Sequence, residues 1–151
     1  LRRVDGLRRR LDEVYAGRAA DDPIDRAFAA VVERHGIARA LPEELLAGME
    51  MDARGTVYET DGDLILYSFR VASTVGLMMT CIMGASDEIA WLRAADLGCA
   101  MQLTNISRES AADARRGRVA RARASPASAS MYPPPPEATA VVVAAADICP
   151  G

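Results

Sequence analysis

The sequence predicts an all-α protein, a bundle of helices followed by a tail that has no core of its own. Apolar residues recur at steps of three and four through the first 118 residues, and proline, aspartate and glycine stand where helices would begin and end. Residues 119–151 are rich in Pro, Ala and Ser and show no sustained period. We therefore expect one helical domain over residues 1–118 and a disordered tail over residues 119–151.

The first two helices are predicted from their apolar faces and their ends. In "LRRVDGLRRRLDEVYAG" the apolar residues from Leu1 to Val14 follow three- and four-residue steps, which is one face of a helix. In "DDPIDRAFAAVVERHG", Asp22 is placed to cap a helix, Pro23 occupies its first position and Gly36 ends it. These signals predict two short helices joined by a loop.

Three further helices are expected. "LPEELLAGMEMDARG" begins one at Pro42, and Thr60 or Asp61 can cap the next. The residues from Leu64 to Met83 are almost all apolar, and the length of this run favours a buried helix over a strand. A long last helix should begin at a Ser86 cap. Its buried face is predicted from apolar residues at heptad-like spacing, namely Ile89, Leu92, Cys99, Leu103 and Ile106.

Composition narrows the class of protein. A formal net charge of -3 argues against a nucleic-acid partner for the chain as a whole. The three cysteines are odd in number and widely separated, so neither a disulfide framework nor a zinc site is indicated, and a cytoplasmic location fits best. The apolar run from Ala138 to Ala146 is too short to span a bilayer, so any membrane contact is expected to be peripheral.

A polar stripe runs along the last helix toward its end. At 100° per residue, the side chains of Gln102, Asn105, Glu109 and Asp113 fall within an arc of roughly 80°. Such an oxygen-rich face suits Mg²⁺, which takes a few carboxylate ligands and leaves positions for substrate phosphates, and Arg108 beside it can bind phosphate. An exposed helix end with mixed charges has the same spacing, so the spacing alone leaves both interpretations open.

Four ordered motifs carry a family resemblance: "MEMDARGTVYET", "YSFRVASTVGLMM", "IMGASDE" and "ADLGCAMQLTNISR" with its continuation "DARRGR". Over about residues 1 to 118 the chain resembles the phytoene synthase and squalene synthase family, most of all its bacterial phytoene synthases. The resemblance implies an all-α isoprenoid-synthase fold around a deep cavity. It also implies head-to-head joining of two prenyl diphosphates, with loss of diphosphate assisted by Mg²⁺ or Mn²⁺; phytoene synthases use geranylgeranyl diphosphate and open carotenoid biosynthesis.

The resemblance implies roles for individual residues. The residues that match metal-binding positions of the family's second Asp-rich motif are Asn105, Glu109 and Asp113. Those that match positions near the diphosphates are Gln102 and Arg108, and Tyr67 matches a tyrosine near the ionising diphosphate. The residues that match the wall of the prenyl tunnel are Val71, Ala72, Val75 and Gly76; without the resemblance this apolar stretch reads as ordinary core.

The chain departs from the family pattern inside these motifs. Glu109 stands where the family has Asp, and Ala112 stands where it has Glu, so metal affinity is expected to be reduced. The "VAG" of the family is "VAS" here, which puts Ser73 in place of glycine. Two other departures in the same motif are Ser68 and Phe69.

The family's first Asp-rich motif has no clear counterpart. "DDPID" imitates it, but Pro23 forces a helix start between the carboxylates, so they cannot share one helical face. After Arg118 the expected "YLP" continuation is replaced by an Arg-, Ala-, Ser- and Pro-rich stretch typical of an out-of-frame reading of GC-rich DNA. The alternative to an active synthase is therefore a truncated or frameshifted, non-catalytic relative that at most binds prenyl diphosphates or a partner subunit.

Overall fold

The computed structural model describes residues 1–18, 21–115 and 140–141. In this part of the chain there are α-helices, one π-helical segment and no strand, which confirms the all-α prediction. The elements are α1 (Arg2–Tyr15), α2 (Pro23–His35), α3 (Ala40–Arg54), α4 (Asp61–Ser68), the π segment (Phe69–Ser73), α5 (Thr74–Met83) and α6 (Glu88–Arg115). The predicted disorder of residues 119–151 lies outside the described residues, apart from positions 140 and 141, which are helical.

The ends of α2 are those that the sequence predicts. The Asp22 side chain accepts a hydrogen bond from the Ile24 amide at 2.8 Å, Pro23 is the first helical residue, and Gly36 ends the helix in the left-handed region at φ 59°. The third helix begins two residues before the predicted Pro42. Proline is tolerated there because the first four amides of a helix have no partner within the helix.

The start of α4 is a capping box. The Thr60 hydroxyl accepts from the Asp63 amide at 3.1 Å, and the Asp63 carboxylate accepts from the Thr60 amide at 3.0 Å. Hydrogen bonding to Thr60 holds the pKa of Asp63 below its usual value. The prediction of a Ser86 cap for α6 was wrong, since the helix begins at Glu88 and the Asp87 side chain accepts from the Ile89 amide at 3.1 Å.

The run from α4 through α5, Asp61–Met83, is continuous. It is 23 residues long and contains an 18-residue window with a mean hydropathy of 1.5, so it is long and apolar enough to cross a membrane by length and composition alone. Half of that window is buried inside the protein. The central helix of a bundle that never enters a membrane meets the same criterion, so the run carries no assignment by itself.

Three buried clusters organise the described helices: Val4 and Leu11 of α1 form one with Leu46 of α3, and the other two lie against α6. The central cluster consists of Ile37, Ala38, Leu41, Phe69, Leu77, Cys81, Trp91 and Ala95, and Val141 packs against it. The tyrosine cluster consists of Tyr58, Leu64, Ile65, Tyr67 and Leu103. Helix α6 runs along α4, the π segment and α5 and closes the central and tyrosine clusters on one side.

The buried face of α6 agrees with the predicted one in the second half of the helix, where Leu103 is buried and Cys99 and Ile106 pack beside it, and differs from it near the start. Ile89 and Leu92 are exposed, whereas Trp91, Ala95 and Gly98 are buried. The reason is that α6 lies very close to the π segment, with Gly98 against the Ser73 backbone. Only the face of α6 that carries small residues at the crossing can be buried there. Periodicity alone cannot detect this, because it counts apolar side chains and not the distance between helices.

Candidate functional site

Tyr67 is held by a carboxylate on a neighbouring helix. It lies near the end of α4 with 8% of its surface exposed, and its hydroxyl donates to the Asp52 carboxylate of α3 at 3.0 and 3.1 Å. Its ring stacks on Tyr58, with centroids 4.6 Å apart and planes at 25°. The phenol is therefore fixed in both position and orientation. Sequence analysis assigned no role to Asp52, although it lies in the quoted "MEMDARG" motif.

Helix α6, which carries the polar stripe, packs against Tyr67 through another of its faces. Leu103 packs with Tyr67 in the tyrosine cluster, and Gln102, its neighbour in sequence, is half-buried. Asn105 and Arg108 lie further along the same helix and are exposed. The structure thus brings α4, which carries the predicted catalytic residue, beside the predicted diphosphate-binding part of α6.

The predicted metal ligands lie on α6 at helical spacing. Asn105 and Glu109 are both exposed and one turn apart, and Asp113 is one turn further along the helix, with its side chain outside the described residues. No group of three His, Cys, Asp or Glu side chains that could hold a metal ion is found in the described part of the chain. Amide and carboxylate oxygens in this arrangement fit the chemistry of Mg²⁺, which is usually bound by one or two carboxylates together with substrate phosphates.

The four predicted tunnel residues do not share one face. Val71 packs against the tyrosine cluster, under Gly48 of α3. The backbone at Ala72 approaches α6 at Gly98, and a Cβ atom on Gly76 would lie 3.0 Å from the Ala94 carbonyl oxygen of α6. These contacts make Gly76 and Ala72 part of the packing between helices.

Val75 has a different environment from the other three. It is 42% exposed and lines an open groove of about 570 Å³ between α2 and α5. The lining of this groove is entirely apolar: Pro23, Ile24, Ala27, Phe28, Val31, Ile37, Val75, Met78, Met79 and Ile82. Of the predicted tunnel residues, Val75 is therefore the one placed to meet a hydrocarbon chain.

The π segment connects Tyr67 to α5 and is anchored to helices on both sides. Arg70 donates to the Glu44 carboxylate of α3 at 2.8 Å, and Ser73 donates to the Ala95 carbonyl oxygen of α6 at 2.6 Å. A Cβ atom on Gly98 of α6 would lie 2.6 Å from the Ser73 Cα atom, so the two backbones touch at this point. Single π turns inside α-helices are frequent at functional sites.

The carboxylates of "DDPID" are used for other purposes. Asp22 caps α2, and Asp25 is buried and accepts from the Arg10 guanidinium at 2.8 and 3.0 Å. Asp21 is exposed and lies 3.8 Å from Arg26. This arrangement agrees with the interpretation that the stretch is no substitute for the first Asp-rich motif.

Cys99 of α6 is half-buried beside the tyrosine cluster. Burial raises the pKa of its thiol, and the negative charge of Asp96 raises it further. Because the thiolate is the form that acts as nucleophile or metal ligand, Cys99 is suited to packing and not to chemistry.

The comparisons with known proteins agree with this arrangement. The sequence profile of the squalene/phytoene synthase family matches residues 1–120. The chain is 52% identical over 118 residues to a phytoene synthase of Cereibacter sphaeroides, covering 78% of this chain and 33% of that protein. It is 51% identical over 110 residues to a phytoene synthase of Rhodobacter capsulatus, covering 73% and 32% of the two chains.

A more distant relative gives the same result. A 15-cis-phytoene synthase of a Paracoccus strain is 43% identical over 119 residues, covering 77% of this chain and 38% of that protein. The chain spans about a third of the length of these curated relatives. No solved structure gives a significant match. Because the family profile covers most of the sequence, with the motifs of α4, the π segment, α5 and α6 inside it, the chain belongs to the squalene/phytoene synthase family.

Proposed function

We propose that the chain provides the prenyl diphosphate-binding part of a phytoene synthase-type prenyltransferase. The reaction is the head-to-head joining of two geranylgeranyl diphosphates with loss of diphosphate, the step that opens carotenoid biosynthesis. The observation that carries this proposal is the packing of Tyr67 of α4 against α6 at Leu103, one residue from Gln102, in a chain 52% identical to a phytoene synthase.

The diphosphate end of the substrate is assigned to α6. Gln102 can donate to a phosphate oxygen through its amide, and Arg108 can bind phosphate through two parallel N–H groups. Asn105, Glu109 and Asp113 are the residues that would hold Mg²⁺ or Mn²⁺. When bound, the metal neutralises charge on the diphosphate as it leaves.

Tyr67 and Tyr58 are assigned to stabilising the allylic cation that forms when diphosphate leaves. Loss of diphosphate from an allylic carbon leaves a delocalised cation, and an aromatic face stabilises a nearby cation through its quadrupole. Tyr67 donates a hydrogen bond to the Asp52 carboxylate and stacks on Tyr58, so its ring cannot turn away. Pre-organisation of this kind costs nothing at the moment of reaction.

The hydrocarbon end of the substrate is assigned to apolar side chains that the described fold leaves exposed. Val75 and Met79 lie one turn apart on α5, and both line the apolar groove between α2 and α5. The cytoplasmic location expected from the cysteine pattern stays a prediction, and an amphipathic substrate is compatible with the peripheral membrane contact that the sequence also predicts.

Val75→Asp is expected to weaken binding of a prenyl diphosphate by about tenfold or more, because the bound hydrocarbon would desolvate the new carboxylate. The unfolding free energy should change by less than about 0.5 kcal/mol, since the side chain is exposed. Calorimetric titration with geranylgeranyl thiodiphosphate and urea denaturation measure the two quantities. Ile89→Asp, at an exposed position near the start of α6, is the matched control and should bind like the parent. Equal affinity of both variants would remove Val75 from the prenyl site.

The altered metal motif favours a second candidate function, a non-catalytic relative that binds prenyl diphosphates or a partner subunit. Glu109 is exposed and its side chain is longer than the aspartate of the family pattern, and Ala112 lacks the carboxylate that the pattern has there. Incubation of the purified protein with geranylgeranyl diphosphate and Mg²⁺ or Mn²⁺ separates the two functions. Release of diphosphate together with a C40 hydrocarbon supports the synthase; binding without product at high protein concentration supports the second function.

A further inference from the structure

Ser73 forms a hydrogen bond between two helices at the point where they lie closest. It is fully buried at the end of the π segment, and its hydroxyl donates to the Ala95 carbonyl oxygen of α6 at 2.6 Å. A Cβ atom on Gly98, one turn further along α6, would lie 2.6 Å from the Ser73 Cα atom and 2.7 Å from its nitrogen. The contact is therefore backbone against backbone, with the hydroxyl as its polar component.

The other buried serine and threonine hydroxyls of this run bond within their own helix. Ser68, which is also fully buried, donates to the Leu64 carbonyl oxygen at 2.8 Å, and Thr74 donates to that of Arg70 at 2.8 Å. Bonds of this type satisfy the hydroxyl without joining two elements. Within Asp61–Met83, Ser73 differs from them in donating to a carbonyl oxygen of α6.

The crossing lies between the two halves of the proposed site. Tyr67 precedes the π segment on one side, and Gln102 comes one turn after Gly98 on the other. Arg70 ties the π segment to α3, the helix that also carries Asp52, so Tyr67 is already fixed relative to α3. Side chains of α6 interlock with the other helices at Trp91 and Leu103, on either side of the crossing, whereas at the crossing itself backbone lies against backbone. The Ser73 hydroxyl adds a directional hydrogen bond to Ala95, and this bond fixes the position of α6 along the π segment.

We propose that Ser73 is a positioning residue that fixes α6 on the π segment and thereby holds Gln102 and Asn105 in register with Tyr67. The pattern that the family resemblance supplies has glycine here, and glycine has no hydroxyl to form this bond. The inference rests on the proposed function for its effect on ligand binding, but the bond itself can be tested without a ligand.

Comparison of Ser73→Ala with Ser68→Ala, each in the full chain, tests the proposal. Both variants remove one fully buried hydroxyl from the same helical run, and they differ in whether that hydroxyl reaches another helix. Affinity for geranylgeranyl thiodiphosphate with Mg²⁺ is measured well below the melting temperature of each variant. Hydrogen exchange of the α6 amides is measured without ligand.

Ser73→Ala is expected to weaken ligand binding about tenfold, the usual effect of losing a group that orients a ligand-binding residue. It should also accelerate exchange of the α6 amides from Gly98 to Gln102. Ser68→Ala and Ser73→Ala are expected to lower the melting temperature by similar amounts, because each removes one buried hydrogen bond. The affinity of Ser68→Ala for the ligand should nevertheless stay within about twofold of the parent. Equal affinities for the two variants would show that Ser73 is only structural and would overturn the proposal.

The ligand-free measurement separates this proposal from the proposed function. If the parent binds no prenyl diphosphate analogue, the proposed function fails. Faster α6 exchange in Ser73→Ala than in Ser68→Ala would then still support the positioning role, and equal exchange would overturn it. Should the alanine variant fail to fold, Ser73→Gly replaces it, because glycine also removes the hydroxyl and adds no volume at the crossing.

Discussion

Replacing Gly98 with valine is expected to cost about 3 kcal/mol of unfolding free energy or more, against a total of about 5–15 kcal/mol for an ordinary domain. A Cβ atom at this position would lie 2.6 Å from the Ser73 Cα atom, 2.7 Å from its nitrogen and 2.9 Å from the Ala72 carbonyl carbon. All three are backbone atoms, so no side chain can rotate away to make room. Helix α6 must move off the π segment, which opens the central and tyrosine clusters.

Urea denaturation monitored by circular dichroism measures this loss. Gly6→Ala in α1 is the matched control, because a Cβ atom there has no neighbour within 4 Å. It should gain about 0.5 to 1 kcal/mol from the better helix propensity of alanine. An unfolding free energy for Gly98→Val within about 1 kcal/mol of the parent would mean that α6 does not cross the π segment at Gly98.

Restoring the family pattern by Glu109→Asp together with Ala112→Glu is expected to raise metal-dependent affinity for a prenyl diphosphate by about tenfold. Mg²⁺ requires short distances and near-octahedral geometry, so a ligand longer by one methylene displaces the ion relative to the diphosphate. Asn105 lies one turn from Glu109 on the same helix and would contribute to the same ion. The added glutamate supplies a further charge to orient ligands or bound water.

A control with the same chemical changes elsewhere on α6 isolates the effect of position. Glu88→Asp with Ala100→Glu also shortens one carboxylate and adds another, at exposed sites away from the stripe. Titrations with geranylgeranyl thiodiphosphate, with and without Mg²⁺, compare the two double variants with the parent. If the restored variant gains no more affinity than this control, the stripe from Gln102 to Asp113 is a charged helix face without a metal-binding role.

Helix ends were the most predictable part of the fold. Asp22, Pro23 and Gly36 bound α2 as predicted, and Thr60 caps α4 as one of two predicted candidates. These signals are local, because a cap satisfies backbone groups within three residues of itself. The wrong cap at Ser86 is also a local error: Asp87, one residue later, offers an equivalent acceptor and accepts from the Ile89 amide.

Packing between helices could not be predicted from periodicity. The π segment adds a residue to one turn and rotates the residues after it, so the tunnel residues Val71 and Val75 lie in different environments. Small residues such as Gly98 decided which face of α6 is buried, although they carry no hydrophobic signal. Asp52 was missed for a related reason: its partner Tyr67 is fifteen positions away on another helix, and the pair exists only through tertiary structure.

The family resemblance supplied what the physical patterns could not. Spacing alone left the stripe of α6 open between a metal site and a solvated helix end, and the packing of Leu103 of the same helix against Tyr67 became visible only in the fold. The roles of Gln102, Asn105 and Arg108 remain predictions.

Calorimetric titration of the full chain with geranylgeranyl thiodiphosphate, with Mg²⁺ and with a chelator, tests the central claim most directly. We predict saturable binding that requires the metal and is lost in Asn105→Ala, whose side chain is exposed and whose replacement should leave the fold intact. The claim would be contradicted by a parent chain that gives no binding heat under either condition, or by binding that is the same with Mg²⁺ and with the chelator.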